Sequence, residues 1–212
     1  MRRERARGRA RGTLTSVLRD VASRVSLASR ERKLRLFLEL FEPGPGTTVL
    51  DVGATDSGFG GAYGTDNFLE ARYPWPERIT AVGITPLERF GEAFPQVRRV
   101  TADGRDLPFD DGEFDVGFSN AVVEHVGGLD DQRALVHELC RVARRVFVTT
   151  PNRWFPVEVH TLLPLVHWLP RGLHPESLAE IRLLGPREFR SLFPYPVRLI
   201  NSGLTLTAVG PR

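Results

Sequence analysis

Three segments of the sequence place acids or small polar residues directly after short apolar runs, where such residues can meet a ligand. In the first, residues 49–58, Gly53 permits close approach of the backbone, and Asp51 can order the turn or accept a hydrogen bond from a cationic amine. Thr55 stands where a dinucleotide-binding Gly-x-Gly-x-x-Gly motif needs its second glycine, and no Gly-Lys-Ser/Thr follows. The loop therefore disfavours NAD and a nucleotide phosphate chain as ligands.

The second segment, residues 102–109, begins Ala-Asp-Gly after another apolar run. Asp103 offers a carboxylate to an exocyclic amine, and Gly104 offers a backbone N–H to a ring nitrogen. This pair of groups suits the edge of an adenine ring, although an ordinary polar turn has the same composition.

The third segment, residues 113–126, ends an apolar run at Ser119 and Asn120 and continues into a short helical turn that contains His125. We expect Ser119 and Asn120 to face the crevice beyond the strand. His125 is the leading candidate for a general base because a neutral imidazole accepts a proton near pH 7. A structural histidine is the alternative interpretation.

A stretch rich in tryptophan and proline, at about residues 151–175, contains the second candidate base, His160, two residues after Glu158. It leaves the fifth predicted strand at the position where a substrate lid would sit, and it equally suits a cap packed over the sheet. The single cysteine, Cys140, lies on an apolar helical face, so we expect burial rather than catalysis. No metal-ligand spacing is present, and we predict no metal site.

The elements that must position these residues follow from the hydrophobic periodicity. After the helix-breaking residues 43–46, β-rich runs alternate with helical patterns, which predicts parallel strands joined by helical crossovers. The predicted strands are residues 47–52, 79–84, 97–101, 114–119 and 146–150, then a hairpin of 197–201 and 204–209; the predicted helices are 65–72, 86–94 and 130–143, with a short turn at 121–126. The fold class is therefore α/β, a doubly wound, Rossmann-like sheet of seven strands, five parallel plus a C-terminal antiparallel hairpin, with ligands at the strands' carboxyl ends.

Together, the three polar segments resemble the class I S-adenosyl-L-methionine (SAM)-dependent methyltransferases of the methyltransferase type 11 group. The resemblance covers roughly residues 47–152, and the terminal hairpin is similar to the reversed last strand of that family. It implies SAM as the cofactor and methyl transfer as the reaction. The Thr-Pro-Asn-Arg-Trp-Phe-Pro stretch at residues 150–156 is similar to that of a bacterial subset often linked to glycan or lipid modification.

The resemblance also implies which residues hold the cofactor. In the family, the loop after the first strand holds the methionine part of SAM, the Asp-Gly pair after the third strand contacts adenine, and the end of the fourth strand lines the methyl-donor pocket. Carried onto this sequence, these residues are Asp51, Gly53 and Ala54, then Asp103 and Gly104, then Ser119 and Asn120.

Two departures from the family pattern concern the same site. The first loop has Gly53-Ala54-Thr55 in place of Gly-x-Gly. The second strand ends in residues 82–85 without the acid that usually binds the ribose hydroxyls. We expect Thr85, Asp56 or a backbone group such as that of Gly83 to take this role, or else cofactor binding to be weak.

The charge of the chain is concentrated at its start, although the formal net charge is only +3. Residues 1–12 contain six arginines against one acid, which predicts a disordered arm that contacts anionic surfaces weakly or is simply a solvated tail. Residues 13–42 predict two amphipathic N-terminal helices, and residues 43–212 the methyltransferase domain with its lid or insertion. No membrane-spanning run or signal peptide is evident, so we expect a cytoplasmic protein, peripheral to the membrane if the arm binds lipid.

The sequence therefore predicts methyl transfer to a small-molecule, glycan or lipid-linked acceptor, through a hydroxyl. One alternative is a degenerate SAM- or nucleotide-binding module without catalysis, which the altered loop and missing acid would explain. Another is a nucleic-acid methyltransferase, suggested by the arginine arm. It is disfavoured because Ser-Asn-Ala-Val at residues 119–122 replaces the Asn/Asp-Pro-Pro-aromatic motif of amino-methylating enzymes.

Overall fold

The computed structural model of the protein describes residues 24, 26–57, 67–158, 163–170 and 173–211. The predicted arm and the first predicted helix lie outside these residues. The second predicted helix is present as α1, which covers residues 26–41.

Seven strands form one mixed sheet in the order β3-β2-β1-β4-β5-β7-β6. Strands β1 to β5 pair in parallel, and β7 pairs antiparallel with both β5 and β6, which confirms the predicted five parallel strands and terminal hairpin. The strands are β1 Val49–Val52, β2 Ile79–Gly83, β3 Arg98–Thr101, β4 Phe114–Asn120, β5 Ala143–Pro151, β6 Arg198–Asn201 and β7 Thr205–Gly210.

Four further helices flank the sheet: α2 Phe68–Arg72, α3 Glu88–Ala93, α4 Leu129–Val142 and α5 Pro186–Arg190. Helix α4 is the longest of these four because buried Leu135, Leu139 and Val142 recur along one face. At its start the Asp131 carboxylate accepts the Gly128 N–H at 3.0 Å, which satisfies a backbone donor that the helix leaves unpaired. Helix α5 was not anticipated from the sequence.

Apolar side chains cover both faces of the sheet. Along β1, Leu50 and Val52 pack in the cluster with α4 and α5, whereas Val49 packs in the opposite cluster with α1, α2 and α3. Phe37 of α1 is fully buried in that second cluster, with its ring 5.4 Å from Phe118. Burial of this ring is worth about 3 kcal/mol or more, so α1 is part of the core.

Candidate functional site

A cavity of about 670 Å³ opens at the carboxyl ends of β1, β2 and β4, where a doubly wound sheet binds its ligands. Five of the ten predicted cofactor residues line it, and so does His125; these five are Gly53, Ala54, Asp103, Gly104 and Asn120. The other five do not line this cavity; they are Asp51, Asp56, Gly83, Thr85 and Ser119.

The loop after β1 forms one wall of the cavity, and Gly53 fixes its path. Gly53 adopts φ +112°, and a Cβ at this position would overlap the Val122 side chain. The N–H groups of Gly53 and Ala54 both donate to the Val82 carbonyl, at 2.9 and 3.0 Å. The absence of a side chain therefore lets the β1 loop pass directly beside the β4 loop.

Two polar side chains hold this loop from outside the cavity. Buried Asn67 accepts a hydrogen bond from the Thr55 N–H at 3.0 Å and donates one to the Thr55 carbonyl at 2.9 Å. The Asp56 carboxylate accepts the Phe90 N–H at 2.8 Å, so it supports the first turn of α3. Asp56 thus braces the loop and does not line the cavity.

The end of β2 has no carboxylate. Ile84, 73 % exposed, lines the cavity, whereas the neighbouring Thr85 is exposed outside it. Gly83 serves packing, because a Cβ there would lie 2.8 Å from the Ala54 carbonyl oxygen. Among the described residues that line the cavity, Asp103 is the only one with a carboxylate.

The loop after β3 is tied together by Arg105. This guanidinium donates to Asp103 at 2.7 Å and to Asp131 of α4 at 2.7 Å. The hydrogen bonds from Arg105 lower the pKa of Asp103, so this carboxyl group is ionised at neutral pH. Gly104 brings the loop against Val52 and Leu135, since a Cβ would lie 2.9 Å from Val52 Cγ1.

The end of β4 presents Asn120 in a fixed orientation. Its Oδ1 accepts hydrogen bonds from Lys33 Nζ of α1 at 2.9 Å and from Thr149 Oγ1 at 2.8 Å. With two donors on the oxygen, the amide nitrogen remains as the group's donor. Ala121 follows with φ +56°, which turns the chain sharply, whereas Ser119 is fully buried and donates to the Val52 carbonyl at 3.0 Å.

A pair of buried carboxyl groups lies behind the β1 loop. Asp51 and Glu70 of α2 are 8 % and 4 % exposed. Burial raises the pKa of Asp51 well above its usual range, and the neighbouring Glu70 raises it further; burial likewise raises the pKa of Glu70. The two carboxyl groups are within hydrogen-bonding reach of each other, so a proton held between them would relieve the repulsion of two buried carboxylates.

His125 lies at the rim of the cavity, with an exposed side chain. Its neighbour Glu124 is fully buried and accepts a hydrogen bond from Thr150 Oγ1 at 2.9 Å. Loss of solvent lowers the pKa of Lys33 to about 8, although the Glu124 carboxylate opposes this shift. The other predicted base, His160, lies outside the described residues.

Two site residues come from α1, which the sequence did not connect with the cavity. Arg30 lines the cavity, and Lys33 holds Asn120. Their spacing of three residues puts both on one helix face, and this spacing was the sequence pattern that could have indicated a basic face on α1. The burial of Glu70 beside Asp51 could not be predicted from the sequence, because an acid on a short helix is normally exposed.

The described parts of residues 151–175 stand apart from this cavity. Asn152 pairs with Leu184 in an isolated bridge, and Val157 pairs with Pro164. None of the described residues of this stretch lines the 670 Å³ cavity. None of the helices in the described ranges has the length and apolar character needed to span a bilayer.

Residues 55–146 match a family model described as a methyltransferase domain. No curated protein is similar enough in sequence to match the chain.

Among solved structures, a protein of Pyrococcus horikoshii is 17 % identical, with a TM-score of 0.60 over 88 % of this chain and 91 % of its own. A SAM-dependent methyltransferase of Methanosarcina mazei is 12 % identical, with a TM-score of 0.55 over 82 % and 95 %. A methyltransferase in complex with the Haloferax volcanii Trm112 methyltransferase activator is 14 % identical, with a TM-score of 0.57 over 89 % and 92 %. Residues 55–146 thus match a methyltransferase domain, and the fold of the chain is the one that these solved structures share, among them a SAM-dependent methyltransferase.

Proposed function

We propose that this SAM-dependent methyltransferase methylates a hydroxyl group of a small-molecule, glycan or lipid-linked acceptor, with His125 as the general base. The observation that carries the proposal is the position of His125 at the rim of the 670 Å³ cavity. On this proposal, the cofactor occupies the cavity and the acceptor approaches past the imidazole.

Of the contacts expected with the methionine part, the adenine and the ribose of SAM, the residues that line the cavity suit the first two. The close-packed loop at Gly53 suits the methionine part, and Asp103 with Gly104 suits the adenine edge. The volume lies within the range of ordinary small-molecule sites. The third contact, an acid for the ribose hydroxyls, has Ile84 in its place, so we expect SAM to bind more weakly than it would with an acid there.

SAM, when bound, supplies a methyl group on a sulfonium centre. The methyl group is displaced in line, so the protein must align the acceptor oxygen with the methyl carbon. It must also remove the hydroxyl proton, because a neutral hydroxyl is a weak nucleophile. Asn120 lines the cavity, and Lys33 and Thr149 both donate to its Oδ1, which leaves the amide nitrogen as the donor of this side chain. His125 takes the proton at an imidazole nitrogen in its neutral state.

The first experiment is calorimetric titration with SAM, with S-adenosylhomocysteine and with NAD. We expect both sulfur ligands to bind and NAD not to bind. The result that contradicts this site assignment is SAM affinity unchanged by Gly53→Arg, which fills the closest approach in the cavity wall.

The second experiment separates the base from the binding site. His125→Ala is expected to keep the SAM dissociation constant and to lower kcat with a hydroxyl acceptor by about 100-fold or more. His137→Ala, an exposed histidine of α4 outside the cavity, is the matched control. Equal rates for both variants would remove His125 from the mechanism.

A non-catalytic relative is the outcome if SAM binds and no acceptor is methylated. A nucleic-acid acceptor is the outcome if DNA or RNA binding depends steeply on salt and is lost when residues 1–12 are removed. The missing acid at the end of β2 bears on the first alternative only, and no described residue that lines the cavity favours the second.

A further inference from the structure

The segment after β5 exposes large apolar side chains. Six of them are between 46 and 66 % exposed, and we call them the tryptophan face: Trp154, Leu163, Leu165, Trp168, Leu169 and Leu173. The two indole rings lie 6.3 Å apart, so the face is continuous at its centre. An exposed cluster of this kind on a protein surface marks a site of contact with a partner or with lipid.

The indole nitrogen of Trp168 is already engaged. Trp168 Nε1 donates to the Arg153 carbonyl at 2.7 Å, so the ring presents carbon rather than an N–H to its surroundings. The Arg153 guanidinium lies 5.0 Å from the centre of the Trp154 ring. A surface of apolar tips beside a cation is suited to the boundary between lipid headgroups and acyl chains.

A basic cavity of about 320 Å³ adjoins the face. It is lined by Arg153, Arg182, His167 and His174, and Leu169 of the face is also in its wall. Both guanidinium groups share one carboxylate, Glu188, at 2.9 and 3.6 Å, so the cluster keeps a net positive charge.

Two nitrogens of this cavity are buried and make no hydrogen bond within the described residues. They are Arg182 Nε and His167 Nδ1. Arg182 Nε–H is a buried donor, and leaving such a donor without a partner is costly, so an anionic oxygen beside the guanidinium would be stabilising. His167 Nε2 lies 2.9 Å from the Arg153 carbonyl oxygen, so Nε2 is the donor of that ring and Nδ1 is its unpaired acceptor.

The stretch that carries most of the face has no acid of its own. Between Glu158 and Glu176 there is no Asp or Glu, while the same stretch has one arginine and three histidines. Glu158 itself is 1 % exposed and adds no negative charge to the surface. The charge of the face is thus complementary to an anionic partner.

We propose that the tryptophan face binds the surface of an anionic lipid bilayer, with its leucines and tryptophans at the acyl boundary and Arg153 and Arg182 at the lipid phosphates. The segment leaves the carboxyl end of β5, the edge of the sheet at which the large cavity opens. The Arg182 N–H donates to the Glu124 carbonyl at 2.8 Å, so the basic cavity adjoins the residue that precedes His125. Delivery of a membrane-held hydroxyl acceptor to His125 would follow from docking, and this last step rests on the proposed function. Binding to the bilayer itself does not.

The test is co-sedimentation of the full chain with vesicles of phosphatidylglycerol and phosphatidylcholine in equal parts, and with phosphatidylcholine alone. We expect binding to the anionic vesicles, weakened by salt. Leu169→Ser combined with Leu173→Ser should weaken it at least about tenfold, because both side chains are exposed and their apolar contact with lipid is lost. Ile84→Ser removes an apolar side chain that is 73 % exposed at the end of β2, outside the face, and should leave vesicle binding unchanged.

Fluorescence reports the face directly. In a Trp75→Phe background, Trp154 and Trp168 are the only remaining tryptophans. Brominated lipids should quench their fluorescence when the face is intact, but not when Leu169 and Leu173 are both replaced by serine. SAM titration of the leucine variant should match the wild type, so failure of lipid binding and failure of the proposed function are separate results.

Three results would overturn the proposal. The first is no binding to anionic vesicles. The second is binding that survives the leucine substitutions and disappears when residues 1–12 are deleted, which assigns it to the arginine arm. The third is a wild-type dimer in light scattering that the leucine substitutions convert to a monomer, which assigns the face to a second copy of this chain.

Discussion

Replacement of Glu70 by glutamine tests whether the buried carboxyl pair shares a proton. Burial raises the pKa of both Asp51 and Glu70 in the folded protein. In the unfolded chain both groups ionise at ordinary carboxyl pKa values. Above that range the folded protein therefore holds more protons than the unfolded chain, and its stability falls as pH rises. Glu70→Gln cannot titrate, and its amide can donate to the Asp51 carboxylate.

The magnitude follows from one proton. Between the ordinary carboxyl pKa and the raised pKa of the folded pair, wild type loses about 1.4 kcal/mol of stability per pH unit for each additional proton it holds. The variant holds one such proton fewer. Its advantage over wild type should therefore grow by about 1.4 kcal/mol per pH unit across this range and vanish at low pH, where both wild-type carboxyl groups are protonated in either state.

Urea unfolding at a series of pH values from about 4 to about 8 measures this difference. Glu92→Gln on α3 is the matched control, because Glu92 is exposed and should change stability by less than about 0.5 kcal/mol at every pH. Parallel stability profiles for wild type and Glu70→Gln would refute the shared proton. So would a variant whose deficit increases with pH, since that result would mean that Glu70 is ionised and stabilising.

Two substitutions test the walls of the cavity. Gly53→Ala should lower the free energy of unfolding by about 1 to 3 kcal/mol, because it strains the backbone at φ +112° and forces a methyl group into the Val122 side chain. Adding Val122→Ala should restore part of this loss in urea unfolding, and no recovery would mean that the contact with Val122 is not the cause. Ile84→Asp should tighten SAM binding about tenfold in calorimetry, because it supplies a charged hydrogen-bond acceptor at the end of β2. Thr85→Asp, outside the cavity, should leave SAM binding unchanged, and equal effects of the two substitutions would contradict the position assigned to the ribose.

The fold was predictable because the sequence signals for its strands are local. Apolar runs such as residues 79–83 are bounded by turn residues, and strands that alternate with helices leave few topologies. Helix α5 was missed because it lies between β5 and the terminal hairpin, outside the alternation of strands and helices on which the prediction rested. The strand bounds shifted by one to three residues, with β5 starting earlier because it follows α4 without a loop.

The candidate site was predictable only in part, because a polar residue after a strand has two uses. Asp103 and Asn120 line the cavity, but Ser119 donates to the Val52 carbonyl, and Asp56 accepts a backbone N–H of α3. These two uses have the same sequence signature, and only the direction of the side chain distinguishes them. Lys33 was missed because its contact with Asn120 spans 87 residues of sequence.

Helix α1 joins the first described part of the chain to strands that are made much later. Lys33 donates to Asn120 across 87 residues, and Arg145 donates to the Leu40 carbonyl across 105. Such distant contacts carry a large loop-closure entropy, and they form slowly. Because α1 precedes β4 and β5 in the sequence, these two contacts can form only after both strands have been synthesised. The ring contacts of Phe37 with Phe118 and Phe147 should therefore be completed late in folding, and with them the full wall of the cavity and the capacity to bind a cofactor.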